Sequence, residues 1–184
     1  MNRLFHFDAW MFGLVNAGAG TPMWRIHAAT FVSDFLPACL LLALALLALV
    51  QPERRRTLWM ALLSLCITWL VVRLVREQWP LPRPAALELG IQWVVHNARG
   101  GFPSLHASGA FAVAMVLLFE RRDRWAALFV SAAAAIAWSR VYLGLHFPTD
   151  VLTGAALGSL VALMVLRVSD RRRPPARRAR RALP

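Results

Sequence analysis

Arg76, Arg83, Ser104, His106, Arg140, His146 and Asp150 are the residues of this chain whose types and spacing could do chemistry together. Three Arg side chains offer planar guanidinium forks, which match phosphate oxygens two at a time. Ser104 follows Pro103 and precedes an apolar run, the setting of a helix N-cap. A helix N-terminus presents free N–H groups to an anion. His146 and Asp150 stand four apart, with Pro148 between them at a first helical position. Asp150 in that first turn can hydrogen-bond one imidazole nitrogen and fix the tautomer. The other nitrogen then carries a free lone pair, which makes His146 an oriented nucleophile. His106, on the first turn of another helix, can protonate a departing oxygen. Together these residues describe metal-free phosphoryl transfer through a phosphohistidine, with cations stabilising the group in transfer.

Each residue alone has an ordinary explanation. An Arg at the end of a membrane span snorkels to the headgroups. Ser104 alone is a helix cap, and Asp150 alone is a first-turn acid favoured by the helix dipole. Arg73 divides between snorkelling and an ion pair with Glu77, one turn away. What the ordinary explanations do not predict is the shared order, spacing and face. Arg99 lies on that face as well, and it divides evenly between a solvated loop charge and a fourth phosphate ligand.

The elements that must position these residues are membrane spans. Of the 184 residues, 59% are hydrophobic and 16% are charged, against about a quarter charged in a soluble domain. A disordered chain is excluded, and a soluble haloperoxidase-like enzyme with it. Five apolar runs approach the ~20 residues that a bilayer crossing needs. They are His27 to Val50, Thr57 to Val75, Leu105 to Phe119, Trp125 to Tyr142 and Val151 to Val168. Backbone polar groups in lipid must be satisfied within the segment, so the fold class is all-α, a polytopic membrane helix bundle. Gly154 and Gly158, with Ala162 a step further, have the spacing of a close helix contact. Before the first run, Leu4, Phe7, Met11, Leu14 and Val15 recur at helical spacing, interrupted by His6, Asp8 and Asn16. This segment is read as an amphipathic helix at the membrane surface, with a sixth span as the alternative. A cleaved signal peptide does not fit its single Arg and its Asp8.

The basic residues orient the bundle. All 21 are Arg. Arg54, Arg55 and Arg56 follow the first span, Arg121, Arg122 and Arg124 follow the third, and a long Arg series from Arg167 to Arg181 follows the fifth. That side is cytoplasmic by the positive-inside rule. Arg76 to Ser104, the turn after Tyr142 and the N-terminal segment then face outward, so two hairpins return the reactive residues to one surface. Residues 1–170 read as one membrane-embedded domain, with the motif-bearing stretch at 76–150 and an Arg/Pro-rich cytoplasmic tail at 171–184. The net charge of +12 is topological. The bilayer and its anionic lipid are the partners, and nucleic acid is not. Cys39 and Cys66 lie in apolar runs and read as buried small hydrophobes.

The sequence resembles the type-2 phosphatidic acid phosphatase superfamily of membrane lipid phosphatases. Its three motifs are Lys-x6-Arg-Pro, Pro-Ser-Gly-His and Ser-Arg-x5-His-x3-Asp, seen here as REQWPLPRP, PSLH and SRVYLGLHFPTD. The third is complete. The second carries Leu105 for Gly, which still offers its backbone N–H if its φ is negative. The first carries Arg76 for Lys, which keeps the charge in a larger, forked form. The resemblance implies a helical bundle with His146 as nucleophile, Asp150 orienting it and His106 as general acid. It implies phosphate binding by Arg76, Arg83, Ser104 and Arg140, and neither a metal nor a cofactor.

Length, N-terminal segment and a small outer loop resemble the bacterial undecaprenyl diphosphate phosphatases of that superfamily, enzymes of the inner membrane that act at its periplasmic face. Arg99 and the forked Arg76 suit a diphosphate headgroup. The alternatives are a phosphatidylglycerophosphate, phosphatidic acid or lipid A phosphatase and, in a different class, a non-enzymatic membrane protein with a degenerate site.

Overall fold

The computed structural model describes residues 3–95 and 100–171, apart from the Leu4 side chain. Arg99 and the tail from residue 172 lie outside the described residues. Among the described residues, seven α-helices follow one another: α1 (Arg3–Val15), α2 (Met23–Asp34), α3 (Leu36–Val50), α4 (Arg55–Gln78), α5 (Leu105–Glu120), α6 (Arg124–Tyr142) and α7 (Pro148–Arg171). Short 3-10 turns at Pro52–Arg54 and Pro84–Leu87 flank α4 and its following loop. No strand occurs among the described residues. The turn at Pro52–Arg54 with α4, then α6 and α7, are each long and apolar enough to cross a membrane. The chain is therefore a multi-pass membrane protein.

The expected first span, His27 to Val50, is corrected in one respect. It is not one helix but two, α2 and α3, bent by 48°. The cause is Pro37, which has no N–H for the carbonyl of Ser33 and whose ring crowds that carbonyl. As a pair, α2 and α3 also meet the length and hydropathy of a crossing. Helix α5 has 16 residues, short of the ~20 a straight crossing needs. The other runs appear as helices with ends within a few residues of expectation.

Helices α5 and α7 form the central contact. A Cβ at Gly158 would come within 2.0 Å of the Ser108 carbonyl oxygen, and one at Gly154 within 2.7 Å of that of Ser104. Without side chains at these two positions, the α7 backbone lies directly on α5, as the glycine spacing suggested. Leu44, Ala61, Leu117, Phe129, Ile136 and Ala162 fill the core around that contact. The outer surface is apolar, with Leu42, Trp59, Leu70, Leu152 and Met164 exposed, as a lipid-facing wall requires. Cys39 and Cys66 belong to that surface and are not buried. An apolar side chain on a span is satisfied by lipid and needs no protein around it.

Helix α1 turns Phe7, Trp10 and Leu14 outward and Phe12 inward. Phe12 packs edge-on against Phe147, with ring centroids 5.6 Å apart. Asp8 and Asn16, which interrupt the apolar stripe, make the docking contacts. Asp8 accepts hydrogen bonds from the Thr149 backbone N–H, at 3.0 Å, and from its hydroxyl. The Asn16 amide donates to the carbonyls of Ile91 and Tyr142 and accepts from the Ile91 N–H. One side chain thus joins the N-terminal segment, the loop between α4 and α5 and the end of α6.

Candidate active site

The site begins where α6 ends. The Arg140 carbonyl accepts from the N–H groups of Leu145 and His146, at 3.0 and 3.3 Å, so the chain folds back under Arg140. Gly144 makes this possible with a φ of 76°, and a Cβ there would strike the Ile91 carbonyl. Pro148 then starts α7 at the expected residue. Asp150 Oδ2 accepts from the Phe147 N–H at 3.0 Å and lies 3.3 Å from His146 Nδ1. The four-residue spacing therefore lets one carboxylate oxygen close the first turn of α7 and meet the imidazole.

His146 is 1% exposed. Burial, followed by the positive charges of Arg83, Arg140 and Arg76 and by His106, holds its pKa well below the ordinary imidazole range. It is neutral at physiological pH. With Nδ1–H assigned toward Asp150, Nε2 carries the lone pair, 3.3 Å from Arg83 Nη1. Arg83 is itself buried and donates to the Leu145 carbonyl at 2.9 Å. Gly101 sits against this pair. A Cβ on it would come within 3.0 Å of Arg83 Cγ and 3.5 Å of Asp150 Oδ2.

Ser104 is at the N-cap position of α5, but its hydroxyl makes no cap bond. Its N–H donates to the Asp150 carbonyl at 3.0 Å, tying the start of α5 to the first turn of α7. Its Oγ is buried without a hydrogen-bond partner, as are Nε and Nη2 of Arg140. Buried polar atoms are nearly always satisfied, so three orphans from two neighbouring motifs mark a place that a polar ligand would fill. Leu105 is helical, and its φ is not among the positive ones. Its N–H and those of the next residues lie in the first turn, where helices have no acceptor of their own.

Arg76 is placed differently from its two companions. Its Nε and Nη2 both donate to the Pro103 carbonyl, at 3.1 and 2.8 Å, which holds the segment entering Ser104. Arg73 pairs with Glu77 at 3.1 Å and stays outside the site. His106 is half-buried on the first turn of α5. It lines one end of a cavity of about 780 Å³ between α3, α4 and α5. The walls include Leu41, Leu65, Leu70, Ala110 and Val113, and Asp34 stands with His106 on the lining.

Sequence reasoning missed Ser33, Asp34 and Gly101. Asp34 was visible as a lone acid within an apolar run. Arg140 Nη1 donates to Ser33 Oγ and lies 3.4 Å from Asp34 Oδ1, and Ser33 Oγ donates to that same oxygen at 2.6 Å. The sequence separations involved are more than a hundred residues, so no spacing rule reaches them.

The helix bundle thus holds a buried, neutral histidine against a carboxylate, beside donors that lack partners. The chain belongs to the PAP2 superfamily, which it matches over residues 57–174. It is a lipid phosphatase of that family, a hydrolase of phosphate esters. It is 31% identical over 154 residues to a provisionally named undecaprenyl-diphosphatase of Escherichia coli, YbjG, covering 83% of this chain and 78% of that one. It is 34% identical to the decaprenylphosphoryl-5-phosphoribose phosphatase of Mycobacterium tuberculosis H37Rv, over 67% of this chain and 68% of that one. The structure resembles LpxE of Aquifex aeolicus with a TM-score of 0.70 and 26% identity, covering 85% of this chain and 93% of LpxE.

Proposed function

We propose that the chain removes the terminal phosphate of a polyprenyl diphosphate, with undecaprenyl diphosphate the preferred substrate, through a phosphohistidine on His146. The observation that carries this reading is the set of orphaned donors, Arg140 Nε and Nη2 and Ser104 Oγ, beside a neutral His146. The terminal phosphoryl group accepts from these donors and from the first N–H groups of α5. His146 Nε2 attacks phosphorus, a P–N bond forms, and the P–O bond to the lipid phosphate breaks. His106 gives its proton to that departing oxygen. Nδ1–H stays on the Asp150 carboxylate, which steadies the cationic phosphoimidazole. A water then gives a proton to His106 and attacks phosphorus. The P–N bond breaks, and inorganic phosphate leaves with neutral His146 restored.

Arg83 and Arg76 frame this pocket, Arg83 at the imidazole and Arg76 through the Pro103 carbonyl. Arg99 is proposed to hold the phosphate that stays on the lipid. Similarity to YbjG and to the undecaprenyl-diphosphatase BcrC of Bacillus subtilis favours the polyprenyl diphosphate. With a histidine nucleophile and guanidinium donors, the proposed reaction is one that EDTA should leave intact. The bundle is proposed to cross the membrane five times, with α5 as a short crossing, the site facing the periplasm and the C-terminus in the cytoplasm.

The test is phosphate release from a panel of undecaprenyl diphosphate, phosphatidic acid, phosphatidylglycerophosphate and lipid A, at matched surface concentration and in EDTA. Fastest release from undecaprenyl diphosphate is expected. Faster turnover of phosphatidic acid rejects the substrate. No release from any lipid, or a strict requirement for Mg²⁺, rejects the mechanism. For orientation, a Cys placed at Ala98 should react with an impermeant thiol reagent in intact cells, and one at Ala179 only after lysis.

A further inference from the structure

Asp34 is an acid in an unfavourable place. It is the last residue of α2, where the helix dipole opposes negative charge, and it interrupts the apolar α2–α3 pair. Ionisable groups at broken helices within a membrane mark sites of function more often than of stability. The break turns the end of α2 toward α6, and Ser33, fully buried, meets Arg140, which is 1% exposed. The geometry there is selective. A carboxylate that simply neutralises an Arg closes on two guanidinium nitrogens at once. Here Ser33 Oγ and Asp34 Oδ1 both meet Nη1, while Nε and Nη2 keep no partner. One corner of the fork is anchored and the other two remain for the phosphate. The Asp34 carboxylate, 39% exposed, also lies on the cavity that His106 lines.

We propose that Ser33 and Asp34, at the break between α2 and α3, are positioning residues for Arg140 that also weaken the site's hold on product phosphate. Ser33 fixes the guanidinium. Asp34, sharing that corner, places a negative charge beside an anion that carries two. The repulsion raises the free energy of bound phosphate and hastens its departure. The inference rests on the phosphatase reading of the same pocket.

The test uses the full chain in detergent micelles, with inorganic phosphate as the probe and both its inhibition constant and direct calorimetric binding measured. Asp34→Asn keeps the shape and removes the charge. It should bind phosphate about 10-fold more tightly, the size typical of coupling between adjacent charges, with kcat and KM lowered together. Asp34→Glu should stay near wild type. Ser33→Ala should loosen Arg140 and weaken phosphate binding. A purely structural ion pair predicts the opposite sign for Asp34→Asn, weaker binding with a higher KM. Unchanged or weaker binding in a variant that unfolds at the wild-type temperature overturns the proposal. So does failure of Asp34→Asn to fold, which would assign the pair to the scaffold. Wild type that binds no phosphate defeats the reading of the pocket itself, whereas wild type that binds it with an unchanged Asp34→Asn defeats this inference alone.

Discussion

Both ends of the bundle gather Arg side chains, and they use them in opposite ways. At the end where α4 begins and α5 stops, Arg56 pairs with Glu120 and Asp170, and Arg54 pairs with Asp123. Glu120 also accepts from the Thr57 hydroxyl, and Asp123 caps α6 by accepting from the Ala126 N–H. Three carboxylates meet two Arg there. At the other end Arg140 meets Asp34 at one corner of its fork, Arg83 and Arg76 feel the charge of Asp150, and Asp150 also faces His146 and the Phe147 N–H. The first arrangement is knit by ion pairs within the fold, with Nη1 of Arg54 left over, and reads as a clamp. The second leaves Ser104 Oγ and two Arg140 nitrogens without partners, where an anion is proposed to bind. The lesson is that Arg content does not separate a structural end from a reactive one. The way each guanidinium is engaged does.

The largest effect should come at the reactive end. His146→Ala should abolish turnover and any acid-labile phosphoenzyme trapped from labelled substrate. Full activity in that variant would leave the two ends without a functional contrast. Arg140→Ala should lower kcat/KM by on the order of 10²–10³, as removal of a transition-state donor does. Its unfolding temperature should fall less than on truncation of Arg56, because two of its nitrogens bond nothing in the fold. A large stability loss with modest rate loss would make Arg140 a clamp like Arg56. The reciprocal variant, Arg56→Ala, leaves Glu120 buried with a weakened partner. It should destabilise the protein by about 3 kcal/mol and leave the rate per folded molecule within about twofold of wild type. Denaturation in detergent, paired with activity of the remaining folded fraction, separates the two cases.

The smallest effect is in pH. His146 has a folded pKa well below that of the unfolded chain, so the unfolded state alone takes up its proton as pH falls. Stability tied to this group is full above about pH 6.5 and declines below it. The slope, at most about 1.4 kcal/mol per unit, shifts the unfolding temperature by on the order of 3 °C. His146→Asn should flatten that decline between pH 6.5 and pH 5. At the clamp, burial pushes the Asp123 pKa up, but the hydrogen bond from Arg54 and those from the α6 backbone leave it below the usual carboxylate range. Its contribution is present above the ordinary carboxylate value, near ~4, and is lost only below it. Identical acid sensitivity of wild type and His146→Asn would show that the two ends do not differ in this way.

Much of this contrast was legible in the sequence, and what was hidden has a common cause. Spacing placed His146 and Asp150 on one turn and Pro148 at its start, because those are local consequences of helix geometry. The Arg positions marked the two faces. The bend at Pro37 was local too, but a hydropathy run averages over it. Asp8, Asn16 and Asp34 looked like interruptions because a periodicity argument counts an acid in an apolar stripe as noise. Their partners, Thr149, Tyr142 and Arg140, lie more than a hundred residues away. Ser104 itself was marked as a cap and a phosphate ligand, but that its hydroxyl meets no partner in the fold was equally hidden.

The bare backbone of Gly154 and Gly158 against Ser104 and Ser108 works as a spacer of zero thickness. The helix that carries Ser104 and His106 and the helix that His146 precedes are gauged by main chain, whose dimensions do not vary with sequence. Side chains elsewhere in the spans can therefore be exchanged for others of similar bulk without moving His106 relative to His146. The same arrangement concentrates fragility. A single methyl group at Gly158 would wedge the helix bearing His106 from the one that His146 precedes, while the surrounding membrane wall would register almost nothing.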